Sequence, residues 1–148
     1  MENSLSQQSA ERIISEIMDL IPEYTSIPDD LIISNGNVAI CIINEEGLVS
    51  GKLFGSNKIR SRESFKIAWI KASQVWITGL KTGEFEKQVY SNQINENDYG
   101  IRRPDMIGWE GGQPVTLKNG TRLSIGFSGF RGTSDLEIVV KAIQRANI

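Results

Sequence analysis

The chain has no histidine, a single cysteine and four prolines in 148 residues. The lack of histidine removes Ser-His-Asp and Cys-His nucleophilic catalysis, imidazole-based zinc sites and a histidine-ligated haem together. Cys41 alone cannot form an intramolecular disulfide, and its place in an apolar run marks it as a small core residue. No 18 consecutive apolar residues occur, and no basic segment followed by an apolar core opens the chain. The reading is therefore a soluble, cytoplasmic protein with no membrane partner. Positive charge is not in excess: 16 Lys and Arg stand against 18 Asp and Glu, a formal net charge of −2. A nucleic-acid partner needs a basic face that neutralises phosphates, so none is expected.

What is present suits one folded domain over residues 1–148, with residues 1–8 loose: 39% of residues are apolar and 23% charged. Ile13, Ile14, Ile17, Met18 and Leu20 recur at helical spacing, and Pro22 is expected to end that helix. Leu31-Ile32-Ile33 offers a strand. Val38-Ala39-Ile40-Cys41-Ile42-Ile43 is a β-branched run that suits a central strand buried on both faces. Asn44-Glu45-Glu46-Gly47 then turns the chain into another strand ending at Phe54. Ser61 is placed as the N-cap of a helix whose apolar stripe is Phe65, Ala68, Trp69, Ala72, Val75 and Trp76, and which stops at Gly79. A short helix is expected over 83–90, a long surface loop over 91–110 and a hairpin around Asn119-Gly120. A last helix opens at Ser134 with the capping box Ser134-x-x-Glu137. Tight hairpins make neighbouring strands antiparallel, so the fold class is α+β, an antiparallel sheet with flanking helices.

Glycine is plentiful, 14 residues in all. Gly111-Gly112-Gln113-Pro114 and Ile125-Gly126-Phe127-Ser128-Gly129-Phe130-Arg131-Gly132 flank the hairpin, and the second loop runs into a helix start. Glycine serves where the backbone takes positive φ or another group comes close. These loops mark either a fold corner or a ligand lying against the main chain. Free N–H groups at the helix start, with Arg131, suit a carboxylate or phosphate. The same residues also make an ordinary capped turn. Trp109 either walls a pocket or packs on the core or a partner subunit. Lys58, Arg60, Arg62, Arg102 and Arg103 either draw in an anion or are simply solvated. Lys71 lies off the apolar stripe, as a base, an imine former or a lysine snorkelling to water. Ser128 is no hydrolase nucleophile, since Gly-x-Ser-Gly lacks the elbow spacing and there is no histidine. Asp135 is expected to offset a helix dipole. Trp69 and Trp76 belong to the core or a subunit interface.

The succession of apolar strand, Glu46-Gly47, second strand, Lys71-Ala72 in a helix, Gly-Gly-x-Pro, hairpin, Gly-x-Ser-Gly and Asp135 resembles the GlcG/HbpS family. That family includes HbpS-like haem-binding proteins and the C-terminal domain of PduO-type proteins, and the resemblance spans residues 38–146. It implies a profilin-like sandwich, a homo-oligomer and a small-molecule pocket near the glycines. It also suggests haem or a corrinoid as cofactor, although no histidine is there to ligate iron and no metal ligands stand out. Family members carry Arg-Met-Asp-Gly where this chain has Lys52-Leu53-Phe54-Gly55, so the charge is kept at Lys52 and the carboxylate is gone. The expected site is Trp109, Gly111, Gly112, Gly126, Ser128, Gly129 and Arg131, with Lys71 or Lys52 from neighbouring elements. It would hold an anionic metabolite or a tetrapyrrole. The alternatives are proton transfer on a small metabolite by Lys71 or Asp135, and an oligomeric interaction module without a ligand.

Overall fold

The β-branched run is the middle of the molecule. A computed structural model describes residues 5–102, 105 and 108–148. In it the run forms β1 (Ala39–Asn44), with all six residues buried. With β2 (Val49–Leu53), β3 (Gly112–Thr116) and β4 (Arg122–Ser128) it makes a four-stranded antiparallel sheet of order β2-β1-β4-β3. Side chains alternate between the two faces of a strand. Ile40 and Ile42, with Leu123, Ile125 and Phe127, therefore pack with residues of α1 (Leu5–Thr25) and α5 (Gly132–Ala146). Ala39, Cys41 and Ile43 pack instead with Ala68 and Ala72 of α3 (Lys58–Thr78). The fold is α+β, with helices on both faces of the sheet. The remaining elements are α2 (Pro28–Ser34), α4 (Thr82–Tyr90) and a 3-10 turn at Glu96–Tyr99. Among the described residues no helix is long and apolar enough to cross a membrane.

The α3 helix presses hard on β4. Ala68 and Ala72, one turn apart, present almost no side chain, and Gly126 lies opposite them. A Cβ at Gly126 would run into the Ala68 carbonyl oxygen and come within 2.6 Å of the Ala72 nitrogen. This glycine is required by a helix lying on a strand, not by a ligand.

Several boundaries differ from the expected ones, each for a physical reason. The α1 helix begins at Leu5, within the stretch read as loose, and continues through Pro22 to Thr25. Leu20 and Tyr24 on either side of Pro22 are buried, and that packing holds the last turn despite the missing N–H. Leu31–Ile33 lies in α2 and is not a strand. Pro28 in the first turn and the acidic pair Asp29-Asp30 are helix-start signals that outweigh the apolar triplet. The α3 helix starts a turn before Ser61. Asn57 is its cap, accepting from the Arg60 N–H at 3.1 Å, while the Ser61 hydroxyl donates to the Phe54 carbonyl at 2.6 Å. Gly79 does end that helix, in the left-handed region at φ +72°. The α5 helix starts at Gly132, and no capping box forms: Ser134 donates to Asp30, and Glu137 accepts from the Tyr24 hydroxyl. Trp69 and Trp76 are half-exposed and do not belong to the core.

Candidate functional site

Beneath the glycine loops, groups far apart in sequence meet at one ammonium. Lys71 Nζ, carried on the sheet side of α3, donates to the Glu110 carbonyl at 2.7 Å and the Phe127 carbonyl at 2.9 Å. Its third contact is Asp135 Oδ2 at 3.2 Å. An ammonium has three protons, and all three are placed. Asp135, in the first turn of α5, uses its other oxygen to accept from the Phe130 N–H at 2.9 Å. Lys71 is 1% and Asp135 3% exposed. The lysine thus does not snorkel to water, and the aspartate does more than offset a dipole. Burial lowers the Lys71 pKa, with Asp135 pulling the other way. Burial likewise pushes the Asp135 carboxyl up to about 7, against the pull of Lys71 and of the Phe130 N–H. Gly111 closes the cluster at φ +115°. A Cβ there would lie 2.6 Å from the Phe127 carbonyl oxygen and 2.9 Å from Asp135 Cβ.

Over this cluster opens a cleft of about 670 Å³. Trp109 and Glu110 contribute from the loop, Ile33 from α2, Arg60 and Ile67 from α3. Ser128, Gly129 and Phe130 line it from the end of β4, with Lys71 and Asp135 below. Four of the expected site residues therefore come together: Trp109, Lys71, Ser128 and Gly129. Gly111, Gly112 and Gly126 do not line the cleft, because protein fills the space beside them. At Gly112 that protein is Thr82 and Lys71. Lys52 does not reach it either. It lies on β2 opposite Ile40, with its ammonium 5.7 Å from the centre of the Phe54 ring. Lys58 and Arg62 are exposed outside the cleft, as is Arg102, while Arg103 lies outside the described residues. Among the described residues no group of three His, Cys, Asp or Glu is placed to hold a metal ion.

At the start of the last helix, where a ligand anion is expected, the groups hold a carboxylate of the chain itself. Asp30, fully buried on α2, accepts from the Arg131 N–H and Nε at 3.0 Å each. It also accepts from Arg131 Nη2 at 3.3 Å and from the Ser134 hydroxyl at 2.7 Å. Arg131 is thereby committed to a carboxylate of its own chain and does not line the cleft. Burial pulls the Asp30 pKa up, but the hydrogen bonds from Arg131 and Ser134 outweigh it and hold the carboxyl below its ordinary 3.8. A carboxyl depressed in the folded state adds stability that is present above 3.8 and lost as pH falls through the folded value. Asp30→Asn should therefore unfold at lower urea than wild type at pH 6, and the gap should narrow as pH falls below 3.8. A gap that stays constant with pH would show that the charge of Asp30 contributes nothing. Sequence reasoning missed Asp30, Glu110, Ile33 and Ile67 as site residues. Only for Asp30 was a signal available, the Pro28-Asp29-Asp30 helix start.

The α+β fold is one that this chain shares with HbpS and PduOC. Solved structures similar to the chain over nearly its whole length include the Klebsiella pneumoniae protein ORFY, of DUF336. It has a TM-score of 0.70 and 17% identity, with 99% of this chain and 96% of that one covered. An HbpS double mutant from Streptomyces reticuli has a TM-score of 0.67 and 16% identity, covering 98% and 88%. PduOC in complex with haem has a TM-score of 0.66 and 14% identity, covering 97% and 94%. At these identities the likeness is one of fold. No family model matches the chain, and no curated protein sequence does.

Proposed function

We propose that the protein binds a small organic molecule in the cleft above Lys71 and Asp135. The observation that carries this reading is a Trp109 side chain, 68% exposed, beside a floor whose two charges are buried and neutralise each other. A cleft of about 670 Å³ is of the size that takes a small ligand, and its lining adds Ile33, Ile67 and Phe130 as apolar surface. The fold is shared with PduOC, whose crystal contains haem, which makes the cleft's supply of iron ligands the deciding feature. The described residues of the cleft include no Cys, Met or Tyr, and the chain has no histidine. Lys71 has no lone pair to offer while its three protons are engaged. This donor set does not fit haem iron. A tetrapyrrole would be held by its ring face and carboxylates alone.

Titration of haem and of metal-free protoporphyrin IX tests the reading, with cobalamin and small hydroxy acids run alongside. Haem and porphyrin should bind alike, and the haem Soret band should not shift as it does on gaining a protein ligand. Trp109→Ala should weaken binding roughly tenfold, since a lost aromatic contact is worth about a kcal/mol or more. The variant's urea midpoint should not move, because the indole is mostly in water. Undiminished binding by Trp109→Ala would remove the cleft from the reading.

A second reading, proton transfer on a small metabolite by Lys71 or Asp135, is favoured by the Asp135 carboxyl raised to about 7 beside the cleft. It requires turnover that disappears in Asp135→Asn while binding persists. The half-exposed Trp69 and Trp76, seven residues apart on α3, support assembly into a homo-oligomer, which light scattering reports directly.

A further inference from the structure

Among the described residues the cleft holds two cationic side chains, and only one of them has an anion. Lys71 is neutralised by Asp135 and has no proton left to give. Arg131, the cation that the sequence picked out, is committed to Asp30. Arg60 differs from both. It sits in the first turn of α3, half-buried, and its guanidinium makes one bond, from Nη2 to the Ile33 carbonyl at 3.3 Å. Among the described residues no carboxylate lies within ion-pair distance of it. Glu110 is the other acid at the cleft, and its exposed side chain is screened by water.

We infer that Arg60 selects the ligand of this cleft, and that what it selects is a carboxylate on a flat, ring-bearing molecule. The inference rests on the reading of the cleft as a small-molecule site. A guanidinium has five N–H donors in a planar fork that matches a carboxylate in two places. The bond to Ile33 fixes one edge of that fork and leaves the other donors uncommitted. A ligand that covers Arg60 without offering an anion strips water from an unpaired charge, which is costly. A carboxylate turns the same burial into a charge-assisted pair. The ring preference comes from Trp109, Ile33, Ile67 and Phe130, which give the rest of the ligand apolar and aromatic surface to lie against.

Three probes that share one ring system test this: 2-naphthylacetate, its primary amide and 2-naphthylethylamine, titrated by calorimetry into the full chain. Wild type should bind the acid at least tenfold more tightly than the amide, and the amine least of all. Arg60→Gln should abolish the preference for acid over amide, and Arg60→Lys should keep part of it. Far-UV circular dichroism establishes that both variants are folded, and the acid-to-amide ratio in wild type needs no variant. Equal binding of acid and amide, tighter binding of the amine, or a preference that survives Arg60→Gln would overturn the inference and leave the cleft as a small-molecule site. Failure of wild type to bind any of the three at millimolar concentration would overturn both.

Discussion

Gly126→Ala is expected to cost the protein about 3 kcal/mol, at the upper end of what one added methyl does in a packed interior. Most overpacked methyls meet side chains that can turn aside. This one meets backbone: the Ala68 carbonyl, the Ala72 nitrogen at 2.6 Å, and Lys71 Cβ at 2.9 Å. To admit it, α3 must move off β4, and α3 carries Lys71 with it. Urea unfolding followed by circular dichroism checks the cost. Gly83→Ala is the control, since Gly83 lies within α4 and the nearest atom to a new Cβ is the Gly108 carbonyl oxygen at 3.6 Å. It should be neutral or stabilising by about 0.5–1 kcal/mol. Equal effects at the two positions would mean that α3 is free to shift.

Lys71→Met and Asp135→Asn should each cost about 3–5 kcal/mol at pH 8, because each leaves a buried group without its partner. The double variant should cost less than the two singles together, since no charge is then stranded. The Glu110 and Phe127 carbonyls still lose their Lys71 donor in the double variant, so it will not return to wild type. A strictly additive double variant would mean that the two groups do not interact. The pH dependence has a definite sign. Burial raises the Asp135 carboxyl from 3.8 to about 7. Between those values the folded protein holds a proton that the unfolded chain has released. This contribution to stability therefore falls as pH rises through that window and is flat above it. The slope should be absent in Asp135→Asn.

The elements legible in the sequence were those whose local chemistry agrees with their surroundings. β1 announced itself because Ile40, Cys41, Ile42 and Ile43 are β-branched or small, and both faces of the strand are covered. The α2 helix did not, because Leu31-Ile32-Ile33 has the composition of a strand. Its helix-start residues, Pro28 to Asp30, matter chiefly through a partner 101 positions away. The site was legible as a set of names but not as a set of contacts. Lys71 and Asp135 were each singled out, yet nothing local shows that a lysine pairs 64 residues downstream, and a lysine at a helix surface ordinarily reaches water. The glycines were read as a cradle because glycine reports that something comes close without saying what. At Gly126 it is a helix, at Gly111 a carbonyl and an aspartate, and at Gly129, on the edge of the cleft, it is Val38.

The burial of β1 on both faces has a practical side. Its centre is Cys41, the single sulfhydryl of the chain, fully buried and pushed up to about 12 by burial alone. In the native protein this group is neither ionised nor reachable, so alkylating reagents have nothing to attack. Labelling then proceeds only in molecules whose sheet has come apart, and its rate under native conditions counts those openings. The chain thus carries its own stability gauge, readable by mass in an unpurified extract with no engineered probe.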